Sequence, residues 1–142
     1  MSEFRQRVQP EWIDYNGHLS EAYYVLVFGF ATDAVMDGLG LDAAYRETGR
    51  SLYTVEAHVR YLREVGPDAE LVVTSRIVGG GPKKLVLCHE MVVDGTVVAT
   101  EELLALHVDS AAGRSVPFPD EIAARIAERT ERAPDYAGRA IG

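Results

Sequence analysis

The sequence predicts an α+β fold: a five-stranded antiparallel sheet wrapped around one long buried helix, with a second helix near the C-terminal end. Three observations predict it. A proline-free segment from Glu21 to Asp37 is apolar on nearly every side for two turns. Strand-like runs separated by turn residues follow it. A short strand precedes the helix, and an amphipathic segment closes the pattern.

In order, Phe4 to Gln9 reads as a short strand stopped by Pro10, and residues 11–19 as a polar, Gly-containing turn region. Ser20 is a good N-cap. The run Ala22-Tyr23-Tyr24-Val25-Leu26-Val27-Phe28 then turns apolar faces in all directions, which predicts burial on every side. Gly38 or Gly40 ends this helix as a left-handed cap. From Tyr53 to Tyr61 the period becomes two. Tyr53, Val55, Ala57, Val59 and Tyr61 form the expected core face, and Thr54, Glu56, His58 and Arg60 the polar one. Gly66-Pro67-Asp68 precedes a strand from Leu71 to Val78, and Gly79-Gly80-Gly81-Pro82 turns it into a strand from Leu85 to Val93. Asp94-Gly95 is a two-residue hairpin signal leading to Val97 through Val108. Pro119-Asp120-Glu121 opens the last helix, with Ile122, Ala123, Ile126 and Ala127 on its apolar side. Residues 1–132 form one domain, and 133–142 are expected to be a poorly ordered tail. This order is that of a hotdog fold. A cone-shaped α+β ligand-binding fold is the rival, although such folds usually begin with several helices.

With 142 residues, 47% hydrophobic and 25% charged, the chain suits a single globular core. The run around Val25 to Phe28 is short for a bilayer span, and Met1-Ser2-Glu3-Phe4-Arg5 lacks the pattern of a secretory signal. Cys88 stands alone, so no internal disulfide or cysteine zinc site forms, and a reducing cytoplasmic setting is expected. Lys and Arg total 14 against 22 Asp and Glu, a formal charge of -8, which argues against nucleic-acid and anionic-membrane partners. Four scattered histidines, among them His89 and His107, show no metal-ligand spacing.

The most informative stretch is Pro10-Glu11-Trp12-Ile13-Asp14-Tyr15-Asn16-Gly17-His18, which runs into the helix start. Asp, Asn and Gly all favour turns, so the segment reads as a turn on composition. Its position adds chemistry. A carboxylate beside the free N–H groups of a helix N-terminus supplies both needs of thioester hydrolysis: a group that attacks or activates water, and donors for the developing oxyanion.

Asp14-x-x-Gly17-His18, followed by Tyr23-Tyr24, resembles the motif of the 4-hydroxybenzoyl-CoA thioesterase family of hotdog enzymes. Within it, Trp12 to His18 and the later Tyr53-Thr54-Val55-Glu56-Ala57-His58, with Arg60-Tyr61-Leu62, are most similar to the betainyl-CoA thioesterases of carnitine breakdown. Leu19-Ser20 departs from the expected Met-Asn. The resemblance spans roughly residues 3–130. It implies an acyl-CoA substrate, with coenzyme A leaving as product, no cofactor, and a homodimer or homotetramer with active sites between subunits. Asp14 becomes the nucleophile or general base, and the amide of Glu21 the oxyanion donor, with Gly17 or His18 assisting. Tyr24 matches an aromatic position of the family, although core packing explains it equally.

The remaining candidates carry two readings each. His18 protonates the departing thiolate or merely ties the loop. Glu56 and His58 share one strand face and reach a partner's site or pack at an interface. Lys83-Lys84 contact CoA phosphates or protect a strand start, and Arg60, Arg63 and Arg76 are unranked alternatives. Trp12, Tyr15, Tyr23 and Tyr53 form an aromatic cage for a trimethylammonium acyl group or pack in the core; Glu11 or Glu56 would add charge. A hydratase lacks its His and acid dyad here. A sensor lacks an output module.

Overall fold

The computed structural model describes residues 1–142. It consists of β1 (Ser2–Arg7), a one-turn 3-10 helix (Pro10–Trp12), α1 (Glu21–Leu39), α2 (Ala43–Arg46), β2 (Arg50–Tyr61), β3 (Glu70–Gly80), β4 (Lys84–Val93), β5 (Thr96–Asp109), β6 (Arg114–Ser115) and α3 (Asp120–Arg129). The sheet runs β1-β3-β4-β5-β2, with the two-residue β6 added on β5, and every pairing between strands is antiparallel. The five expected strands and two expected helices are therefore present. α2 and β6, too short to carry a period, are additions.

Local chemistry explains the hairpins. Asp94 and Gly95 have φ of 47° and 79°, the left-handed pair that joins twisted strands in two residues. At Gly80, with φ of 153°, a Cβ would stand 2.3 Å from the Lys84 carbonyl oxygen, so the β3–β4 turn admits only glycine. Of the two candidate caps for α1, Gly40 is used. Its φ is 90°, and its N–H donates to the carbonyls of Asp37 and Met36.

Two expectations about burial are corrected. α1 is buried on one side, through Tyr24, Val27, Phe28, Ala31, Thr32, Val35, Met36 and Leu39. Its opposite face, with Ala22, Val25, Leu26 and Gly29, is open in the isolated chain. By length and composition α1 is the one helix that could cross a bilayer, but its buried side packs into the sheet as a core helix does. The second correction concerns β2. A bulge between Thr54 and Glu56 leaves Val55 unpaired, and the extra residue reverses the alternation. Leu52 and Thr54 face the helix before the bulge, and Ala57, Val59 and Tyr61 after it. Tyr53 therefore joins Glu56 and His58 on the outer face, and Val55 is 54% exposed.

The tail has no helix or strand, but it is attached. Tyr136 donates its hydroxyl to the His89 carbonyl at 3.3 Å, and the Gly138 N–H donates to Glu102 at 2.8 Å. Cys88 is fully buried, and burial pushes its thiol up to about 11.

Candidate active site

The loop before α1 is held at both ends. Ile13 and Leu19 form a bridge, with the Asp14 N–H donating to the His18 carbonyl at 2.9 Å. The Leu19 N–H reaches the Val65 carbonyl at 2.8 Å, and the Ser20 N–H reaches the Trp12 carbonyl at 3.0 Å. Trp12, Leu19 and Val65 are core residues, so these bonds weld the loop to the hydrophobic centre. Gly17, at φ of 80°, makes the reversal that β-carbon-bearing residues resist.

Asp14 has a double role in this geometry. One carboxylate oxygen, Oδ1, accepts the Asn16 N–H at 2.9 Å, so the Asx-turn suggested by composition exists. The half-buried carboxylate also lines a cavity of about 780 Å³ with Tyr15, His18, Glu21, Tyr24, Tyr61 and Arg63. The turn is thus the device that presents the carboxylate.

The cavity meets the start of α1. Ser20 is the N-cap, yet its side chain makes no capping hydrogen bond. The Glu21 N–H has no acceptor within the chain and stands at the positive end of the helix. It is the free donor an oxyanion needs. The Gly17 N–H is not free, because it donates to the Asp14 carbonyl at 3.0 Å. The Gly17 N–H is thus engaged in shaping the turn, while the His18 N–H has no acceptor within the chain.

The other candidates separate. His18 Nε2 lies 3.3 Å from Glu64 Oε2 at the cavity wall, an arrangement that ties the loop. Tyr24 is buried, donates its hydroxyl to the Arg63 carbonyl at 3.1 Å and meets Tyr61 edge-on at 5.1 Å. It supports the cavity wall more than it contacts solvent. Trp12 is in the core and stacks at 5.3 Å on Tyr23, which is half-buried against it, so within one chain these two rings pack on each other. Tyr15 does line the cavity and is 97% exposed.

Tyr53, Glu56, His58, Lys83 and Lys84 do not join Asp14 within one chain. Glu56 and His58 line a separate hollow of about 350 Å³ on the outer face, with Glu102 and Arg139. Lys84 pairs with Leu106, which pairs with Tyr53, whereas Tyr61 at the cavity pairs with Ala99 and so with Met91. Seven strand residues separate the two levels, roughly 23 Å at about 3.3 Å per residue.

Of the far wall, Tyr61 to Glu64, sequence reasoning named Arg63 only as an unranked CoA contact and gave Tyr61, Leu62 and Glu64 no part in the site. Tyr61 was placed on the core face, which is correct. Nothing in a period of two says that this face opens at the strand end. It also passed over Glu101. This buried β5 carboxyl pairs with His89 and Val59, and burial pushes it up to about 7. Its neighbour His89 is wholly buried, bonded to Ser75 at 2.7 Å and Thr32 at 2.9 Å, and burial lowers it to about 4.

Comparison with known proteins gives these features a family. The thioesterase-like superfamily matches residues 8–126. The betainyl-CoA thioesterase of Pseudomonas aeruginosa is 39% identical over 150 residues, covering 100% of this chain and 94% of that protein. The L-carnitine dehydrogenase/betainyl-CoA thioesterase of Agrobacterium fabrum is 44% identical over 139 residues; the match takes in 94% of this chain and 29% of that longer protein. Among solved structures, SAV2348 of Staphylococcus aureus, in complex with CoA, superposes with a TM-score of 0.92 at 27% identity, covering 99% of this chain and 93% of that one. Full-length identity, the superfamily match and the wrapped helix agree, and the chain belongs to the thioesterase-like superfamily as a thioester hydrolase of hotdog fold.

Proposed function

We propose that the protein hydrolyses betainyl-CoA to betaine and CoA, in the cytoplasm, as a homodimer or homotetramer and without a cofactor. The observation that carries this is the Asp14 carboxylate sharing one cavity with the helix start at Glu21. In one route Asp14 takes a proton from water as the water oxygen bonds to the thioester carbon. In the other, Asp14 bonds to that carbon and water later opens the anhydride. In both, the carbonyl oxygen gains charge against the Glu21 N–H, and the carbon–sulfur bond breaks to release CoA thiolate. Asp14, Glu21 and Glu64 outnumber Arg63 around the cavity, a field that favours a cationic acyl group. The name of the Pseudomonas aeruginosa relative points the same way.

A second copy supplies what one chain lacks. β2 is an edge strand, and Tyr53, Val55, Tyr61 and Leu62 lie exposed along it near the open Val25 and Leu26 of α1. Such an edge invites another strand. Antiparallel pairing of two β2 strands brings the Tyr53 end of one copy to the Tyr61 end of the other. The lysine pair of the first copy then lies about three strand spacings, roughly 14 Å, from the Tyr61 strand of the other. Sedimentation should give two or four times 15.6 kDa; a monomer at micromolar concentration refutes this assembly.

Thiol release from betainyl-, acetyl-, medium-chain acyl- and 4-hydroxybenzoyl-CoA tests the substrate. Betainyl-CoA should show the highest kcat/KM. Preference for another ester keeps the enzyme class and rejects the betainyl assignment, and release from none indicates a binding protein.

A further inference from the structure

Beside the Asp14 cavity, a second hollow of about 290 Å³ lies between α1 and β2. Its walls are Val25, Gly29 and Met36 of α1, Leu52 of β2, and Leu103, two residues along β5 from Glu101. Gly29 leaves open space: a Cβ there would meet nothing within 4 Å. Into this mostly apolar slot faces Glu101, whose side chain is only 6% exposed. It makes no hydrogen bond. Its nearest charged-type neighbour, His89 Nε2, is 4.0 Å away and already engaged with Thr32.

A carboxylate that no protein group pairs with is costly to ionise in a mostly apolar slot, and Glu101 meets only the open hollow. His89 does not supply a countercharge, because burial keeps its ring neutral near pH 7. The other ionisable groups facing Glu101 are Tyr61 from β2 and Asp33 from α1, and neither is a cation. The chain sets no cation against Glu101, which leaves its carboxylate free to meet a cationic ligand.

The slot and the Asp14 cavity share no lining residue but are linked through Tyr61. Tyr61 lines the Asp14 cavity, its hydroxyl reaches the Glu21 carbonyl at 3.3 Å, and its ionisation is opposed first by burial and then by Glu21 and Glu101. Glu101 pairs with Val59, two residues from Tyr61, which is roughly 7 Å along the strand. A quaternary ammonium two bonds from the thioester carbon would approach that carboxylate if the acyl group points from the Asp14 cavity towards β5.

We propose that Glu101 is the specificity-determining residue for a cationic acyl group, its carboxylate attracting the quaternary ammonium from the floor of the groove between α1 and β2. This rests on the reading of the substrate as a cationic acyl-CoA. Glu101 makes the preference depend on pH. The carboxyl is neutral below about 7 and charged above, so the cation binds best on the alkaline side.

The test compares betainyl-CoA with 3,3-dimethylbutanoyl-CoA, the same shape with carbon in place of the charged nitrogen. The readout is the ratio of their kcat/KM values, from which any pH dependence of the shared chemical step cancels. In the wild type the ratio should favour betainyl-CoA and rise with pH through about 7. In Glu101→Gln it should fall at least about 30-fold and lose its pH dependence, as expected for a charge attraction in a partly buried site. A ratio within threefold of wild type in Glu101→Gln overturns the role of Glu101 and leaves the betainyl reading standing. No preference in the wild type overturns both. If the variant does not fold, the wild-type profile decides alone: a ratio flat from pH 6 to 8 rejects the proposal.

Discussion

Asp14→Asn should lower kcat by about 1,000-fold or more while leaving the fold intact. The substitution separates chemistry from structure. Asn retains the oxygen that accepts the Asn16 N–H, and neither the Ile13–Leu19 bridge nor the Gly17 turn depends on charge. What disappears is the ability to take a proton from water or to bond to the thioester carbon. Positioned proton transfer alone is worth roughly 100- to 10,000-fold, and loss of a nucleophile is at least comparable. Single-turnover thiol release, with thermal melting alongside, checks the result. Loss of activity together with a drop of many degrees would make Asp14 a structural residue. Retained activity with an unchanged melt would remove it from the mechanism.

Glu101→Gln should stabilise the protein at pH 8 by about 3 kcal/mol and at pH 5 by less than about 1 kcal/mol. In the unfolded chain this carboxyl ionises near 4.5, and in the fold near 7. Between those values the folded protein holds a proton that the unfolded chain releases, so stability is lost as pH rises from 4.5 to 7. Above 7 the whole loss is present; below 4.5 none of it is. Each pH unit of difference corresponds to about 1.4 kcal/mol. His89 acts with the opposite sign. Its folded value near 4 lies below the usual 6.5, so its contribution is lost as pH falls from 6.5 towards 4. The two slopes offset one another between about 4.5 and 6.5 in the wild type, and the Gln variant exposes the His89 slope alone. Urea unfolding at the two pH values, at one protein concentration, measures the difference. Equal stabilisation at both would mean that Glu101 ionises normally in the fold. A gain at pH 8 alongside lost cation selectivity would be a direct exchange of stability for function.

The loop that carries Asp14 was legible because its chemistry is local. Turn-forming residues, a helix cap and a carboxylate occur within eleven positions, and apart from the Leu19 bond to Val65 the main-chain bonds that shape them join near neighbours. The Asp94-Gly95 hairpin was legible for the same reason. The far cavity wall was not, since Tyr61 to Glu64 meet Asp14 only after β2 has been laid on β5. Glu101 was hidden more deeply. In sequence it stands beside Glu102 as one of two adjacent acidic residues, and only the pleat sends one into the core and the other to the outer face.

By itself, the sequence determined the number and order of the main elements, the caps, the hairpin turns and the residue most suited to attack a thioester. These follow from backbone preference and from periodicity, which act over a few residues. Tertiary structure decided which face each residue of β2 presents, because one bulged residue at Val55 reverses the alternation for the rest of the strand. It also decided that α1 is buried on one side only, that Trp12 is core with Tyr23 stacked on it, that Tyr61 lines the Asp14 cavity and that Glu101 faces the slot between α1 and β2. Those outcomes depend on contacts between segments far apart in the chain, and on the desolvation that follows when the sheet closes over the helix.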